Sequence, residues 1–81
     1  MALFTTTQNF GPYRKQQEKV HVIIDAGTGS IAINAVMSDG TKIGIDESPF
    51  SADKVLTLDV ANGTFEVAVT GDARFEWTDD A

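Results

Sequence analysis

The strongest constraint on how this chain can fold is the stretch from Val55 to Val69, where two alternating apolar runs flank Asn62-Gly63. Asn-Gly suits the two-residue type I′ hairpin turn, whose central residues both need φ > 0. Pairing outward from that turn sets Val60 opposite Phe65, Leu58 opposite Val67 and Leu56 opposite Val69. All six large apolar side chains then share one face. The other face carries Ala61, Asp59 and Thr57 against Thr64, Glu66 and Ala68. A one-residue slip would bury the carboxylates and expose the hydrophobic set, so the alternation fixes the register of this hairpin.

The same period of two recurs along the chain. Val20, Val22 and Ile24 alternate with His21, Ile23 and Asp25, and Ile31, Ile33, Ala35 and Met37 alternate with Ala32, Asn34 and Val36. With Ala26-Gly27-Thr28-Gly29 as a loop, Ile24 faces Ile31 and Val22 faces Ile33 in a second hairpin. Ile23 and Val36 leave its outer side less polar than a freely solvated face. At Ser38-Asp39-Gly40, parity selects a three-residue loop with Gly40 in the left-handed region, which sets Ala35 opposite Ile43 and keeps Ile45 inward. The connector from Asp46 to Lys54 reads as a crossover between two sheets, with Phe50 as a plug at the edge of the core. At Gly71-Asp72, an odd loop or a change of sheet keeps Ala73, Phe75 and Trp77 inward. These runs and turns predict an all-β fold, a small antiparallel β-sandwich of six to seven strands.

Eighty-one residues suffice for one small domain. Its expected divisions are an extended N-terminal arm over 1–18, the sandwich over 19–78 and an acidic tail over 79–81. The arm has no strand or helix periodicity, and it scatters Phe4, Phe10 and Tyr13 among polar residues. It could lie along its own domain or become ordered on a neighbouring subunit, and its basic charge favours the neighbour. Residues 1–19 sum to +2 and residues 20–81 to −8, together the net −6 of the chain. An acidic body repels phosphates, so no nucleic-acid partner is expected. Met-Ala-Leu-Phe passes at once into Thr5, Thr6, Thr7 and Gln8, so neither a signal peptide nor a membrane span is expected. Without cysteine there are no disulfides or thiolate metal sites.

No cluster of residues has the spacing of a catalytic centre, and neither an enzyme activity nor a cofactor is expected. Asp25-Ala26-Gly27-Thr28-Gly29-Ser30 resembles the first phosphate loop of the sugar-kinase and actin-like ATPases, but those folds need a far longer chain to form a nucleotide cleft. It reads as a turn that uses glycine for its backbone freedom. His21 is the single histidine and falls on the outer face of its strand. Asp46, Glu47 and Asp53 share one loop without the alternating spacing of a calcium site, so no metal is expected. The candidate contact residues are instead Phe4, Phe10, Tyr13, Arg14 and Lys15 on the arm, and Asp59, Glu66 and Glu76 as an acidic patch on the sheet. In the expected hairpin Asp59 lies across from Glu66. Like charges so placed are mildly destabilising; the patch either receives cations from a partner, the arm of a second copy being the first candidate, or is a solvated face that discourages edge aggregation.

The segments Lys54 to Val60, Asn62 to Val69 and Thr70 to Trp77 contain Thr57-Leu58-Asp59-Val60 and Thr70-Gly71-Asp72-Ala73, each attached to an alternating strand. Over roughly residues 28 to 77 this pattern resembles small β-sandwich virion proteins of tailed bacteriophages. The resemblance implies a head decoration or cement protein, or a small tail accessory. Its partners would be the major capsid protein or other virion subunits, in a homo-oligomer on the capsid surface; the arm is not part of the pattern, yet it suits a protein that staples neighbouring capsomers. The alternative is a carbohydrate- or surface-binding module, which needs an exposed aromatic platform that an inward Trp77 would not supply.

Overall fold

A computed structural model describes residues 3–14, 19–45, 47–60 and 63–79. Eight strands form in chain order: β1 (Leu3–Phe4), β2 (Gln8–Phe10), β3 (Lys19–Asp25), β4 (Ser30–Val36), β5 (Lys42–Gly44), β6 (Lys54–Asp59), β7 (Phe65–Thr70) and β8 (Arg74–Asp79). They make two four-stranded sheets, sheet I in the order β1-β8-β3-β6 and sheet II in the order β2-β7-β4-β5, and every pairing is antiparallel. The protein is therefore the small β-sandwich that its alternation predicts. Val20, Val22 and Ile24 of β3 meet Ile31 and Ile33 of β4 in the core, all at most 2% exposed. Each such side chain contributes about 1.5–3 kcal/mol of burial.

The chain changes sheet at every connection except that between β4 and β5. This overturns both expected hairpins. β6 lies in sheet I beside β3, with Leu56 opposite Val22 and Leu58 opposite Val20, whereas β7 lies in sheet II between β2 and β4. The Gly63 amide donates to the Val60 carbonyl at 2.9 Å, and the Val36 amide donates to the Thr64 carbonyl at 2.8 Å, so the chain leaves this turn along β4. Asn62 lies outside the described residues. Likewise Ile24 pairs with Phe75 and Lys54, and Ile31 pairs with Val69. The physical reason is common to both cases. Two strands that alternate in phase can share one face of one sheet, or they can direct their apolar faces at each other from two sheets, and either arrangement buries the same residues.

The remaining connections agree with the sequence. Ala35 pairs with Ile43 across a three-residue loop, and Gly40 has φ 91°. Ile43 and Met37 nevertheless stay 56% and 52% exposed, because β5 is a three-residue strand at the sheet edge. The connector after β5 crosses to sheet I. Within it, Phe50 is buried and exchanges both backbone hydrogen bonds with Ile31, at 2.7 and 3.0 Å. The chain changes sheet again at Gly71, and Ala73, Phe75 and Trp77 point inward and are buried.

The N-terminal segment is not an extended arm in its described part. β1 adds to β8 at one edge of sheet I, and β2 adds to β7 at the matching edge of sheet II. The Phe4 ring stacks on Phe75 at 5.2 Å and meets the Phe10 ring edge-on at 5.4 Å, while Phe10 stacks on Trp77 at 4.3 Å and 6°. The Trp77 indole N–H donates to the Tyr13 hydroxyl at 2.7 Å. These aromatic residues close one open end of the sandwich. Aromatic contacts of this kind add about 0.5–1.5 kcal/mol each beyond their burial, which exceeds what a solvated segment could gain. The two further strands also raise the count from the expected six or seven to eight.

Two outcomes follow for stability. The β3–β4 turn at Gly29 touches the β7–β8 turn so closely that a Cβ would lie 1.8 Å from the Thr70 carbonyl oxygen. Gly29→Ala should cost about 1–3 kcal/mol in denaturant unfolding; an unchanged midpoint would mean that the two turns do not touch in solution. Phe10→Ala should cost about 3 kcal/mol and shift Trp77 emission to the red. Wild-type stability and emission in that variant would return the N-terminal segment to the solvent.

Candidate docking face

The outer face of sheet I is built by residues that the alternation turns away from the core. Leu3 pairs with Glu76, Glu76 with Ile23 and Ile23 with Val55, so one row crosses all four strands. Leu3, Ile23 and Val55 in this row are 54%, 36% and 61% exposed. Glu76, half-buried between Leu3 and Ile23, is the row's one charged group. One step along the strands, Asp25 Oδ2 accepts from Arg74 Nε at 2.8 Å. A shallow depression of about 320 Å³ opens between this ion pair and the apolar row, lined by Leu3, Ile23, Asp25, Arg74, Phe75 and Glu76. On the other side of the row, exposed His21 lies between Thr57 and Thr78, followed by Lys19 opposite Asp59.

Such a face suits docking against a flat surface. The apolar row would lose water on contact, and Glu76 would accept a cation from the partner. Alternation around Ile23 already signalled a less polar outer side, but Leu3 and Val55 could join it only through the β1–β8 and β3–β6 pairings.

Of the expected contact residues, Glu76 lies in this row and Asp59 on the same outer face, and the others fall elsewhere. Phe4, Phe10 and Tyr13 are used within the protein's own aromatic cluster. Arg14 is exposed, and Lys15 lies outside the described residues. Asp59 and Glu76 are in sheet I, whereas Glu66 is in sheet II, where it accepts from Lys42 Nζ at 2.8 Å. The Asp59–Glu66 juxtaposition disappears with the hairpin that produced it, because Asp59 pairs with Lys19 and Glu66 with Asn34 and Asn9.

The phosphate-like stretch is a turn between sheets, held by the protein's own carboxylates. Gly27 has φ 56°, and the Gly29 amide donates to the Ala26 carbonyl at 2.9 Å. Asp53 Oδ1 accepts from the Ala26 amide at 3.1 Å. Asp72 Oδ1 accepts from both the amide and the hydroxyl of Thr28, at 2.8 and 2.9 Å. Donors that could face a phosphate thus face Asp53 and Asp72. Of the loop carboxylates weighed for calcium, Asp53 serves this turn, Glu47 accepts from Lys54 Nζ at 2.9 Å, and Asp46 lies outside the described residues. No family model matches the chain, and no curated protein or solved structure matches it.

The Thr28 amide and hydroxyl hold the Asp72 carboxyl below its usual value of 3.8. A carboxyl whose pKa falls on folding stabilises the fold above its unfolded value, and that contribution fades as pH drops through the folded value. Asp72→Asn should therefore lower the melting temperature at neutral pH, with the gap to wild type closing below pH 3.8 as Asp72 protonates. A gap that stays constant down to strong acid would show that the carboxylate charge is not what holds the turn.

Proposed function

We propose that this chain is a non-enzymatic structural protein of a tailed bacteriophage, a decoration or cement protein that binds the head shell. The observation that supports this reading is the apolar row of Leu3, Ile23 and Val55 across the outer face of sheet I, with Glu76 among them. A rigid four-stranded platform bearing that row fits adhesion to the broad surface of a capsid. The resemblance of residues 28 to 77 to small virion sandwiches supports the same destination. With its N-terminal segment folded onto its own core, the protein would bind through this sheet face rather than by an extended staple.

The carbohydrate-binding alternative would need an exposed ring. Trp77 is 5% exposed and stacked against Phe10, so the single tryptophan is committed to the interior.

Mass spectrometry of purified particles of the phage that encodes the chain should find it in many copies, retained on heads after tails are removed. Ile23→Asp in the same phage should leave the protein folded but largely absent from heads. Particles that lack the wild-type protein, or carry it only on tails, would refute the head assignment.

A further inference from the structure

The two open ends of the sandwich are closed unequally. Contact between Phe4 of β1 and Phe10 of β2 places those strands at one end, which leaves β6 and β5 together at the other. There the second sheet is largely covered. Beyond the short β5, the chain continues beside β4, where the Ile45 amide donates to the Ile33 carbonyl at 3.0 Å, the Ile33 amide donates to Ser48 Oγ at 3.1 Å, and Phe50 pairs with Ile31. No strand among the described residues covers the outer edge of β6. It is a six-residue strand with no Pro and no Gly, whereas β1, β2 and β5 run to two or three residues. A long, regular edge of this kind is a template for another strand. Its single lysine, Lys54, is held by Glu47 at 2.9 Å and lies over the Phe50 ring, and so does not guard the edge. Leu56 and Leu58 point into the sandwich yet stay half-buried, and Val55 of the same strand and Ile43 of β5 are exposed.

We propose that β6 pairs antiparallel with β6 of a second copy, joining two first sheets into one eight-stranded sheet. A two-fold axis perpendicular to the sheet preserves its faces, so inward residues meet inward residues and outward meet outward. Two positions of the axis keep most of β6 paired. An axis at Leu56 sets Asp53 of one copy against Asp59 of the other. An axis at Thr57 places no carboxylates opposite each other. It sets Leu56 opposite the second copy's Leu58 on the core side, and Val55 opposite its Asp59 on the outer side. Thr57 then meets Thr57. The pairing covers the half-buried leucines and places the two apolar rows on one surface, offset from each other along the strands. The second copy, rather than a foreign strand, is the occupant because this register satisfies β6 with its own sequence: leucine on leucine, with no acidic group directly opposite another.

The Thr57 axis makes a specific demand. Thr57 is exposed, so charged residues are tolerated there by the monomer fold, but in the dimer each would face its own kind. Sedimentation of the full chain over a range of micromolar concentrations should show a dimer of the 8.7 kDa protomer. Thr57→Lys and Thr57→Glu should each weaken dimerisation about tenfold or more while keeping the wild-type circular dichroism spectrum, and an equimolar mixture of the two should recover it. Val55→Lys, which sets lysine against the second copy's Asp59 twice per dimer, should tighten association several-fold and provides a reading if either Thr57 variant fails to fold. A wild-type protein that stays monomeric throughout overturns the proposal. So does a dimer indifferent to all three substitutions, or a mixture that does not recover association. Because sedimentation reads self-association alone and particle composition reads destination alone, failure here is distinct from failure of the virion reading.

Discussion

The contact on which the rest of the fold depends is the meeting of two turns, residues 26–29 and 70–73, at one end of the sandwich. Each carries the chain from one sheet to the other, and they lie side by side in opposite directions. On one side Ser30 pairs with Thr70 and begins the β4–β7 ladder; on the other Asp25 pairs with Arg74 and begins the β3–β8 ladder. The central pairings of both sheets therefore take their register from this one place. Gly29 permits the approach, since a side chain there would collide with the Thr70 carbonyl, and Asp72 secures it by accepting two hydrogen bonds from Thr28. A slip at this end would turn the core residues of four strands outward together.

This dependence explains which parts of the fold could be read from the residues. Inward and outward faces were legible: Val20, Val22, Ile24, Val67, Phe75 and Trp77 are all buried as their alternation requires. Partnership was not. A period of two records which side of a strand faces the core, and it is the same whether the next strand pairs edge to edge or packs face to face. Loop length separates the cases only where one option breaks parity. That condition held at Ser38-Asp39-Gly40, where it selected the three-residue hairpin, and at Gly71, where it excluded a two-residue hairpin and left an odd loop or the change of sheet that forms. At 26–29 and around Asn62-Gly63 a hairpin was compatible with parity, so it concealed the crossover.

The N-terminal segment was illegible for a different reason. Strands of two and three residues contain too few alternations to show a period, and their stability comes from rings contributed by distant β8. Phe4, Phe10 and Tyr13 were recognisable as side chains in need of an apolar surface. That the surface belonged to the same molecule depended on Phe75 and Trp77 reaching the open end between β1 and β2. The candidate face inherits the same limit. Ile23 announced itself within its own strand, whereas Leu3 and Val55 became its neighbours only through pairings that the sequence left open.

The unequal ends also give the acidic charge a structural role. Where the aromatic segment closes the sandwich, the short β1 and β2 leave little free edge for other chains. At β6 neither proline, bulge nor free lysine provides such protection, so the net charge of −6 is the remaining general barrier to association. Charge repulsion acts on every approach, but its cost depends on register. An alignment that sets Asp53 against Asp59 pays it at short range, whereas one centred on Thr57 separates those carboxylates and gains the leucine contacts. Acidity can thus discourage indiscriminate edge pairing while leaving one alignment of the exposed strand open.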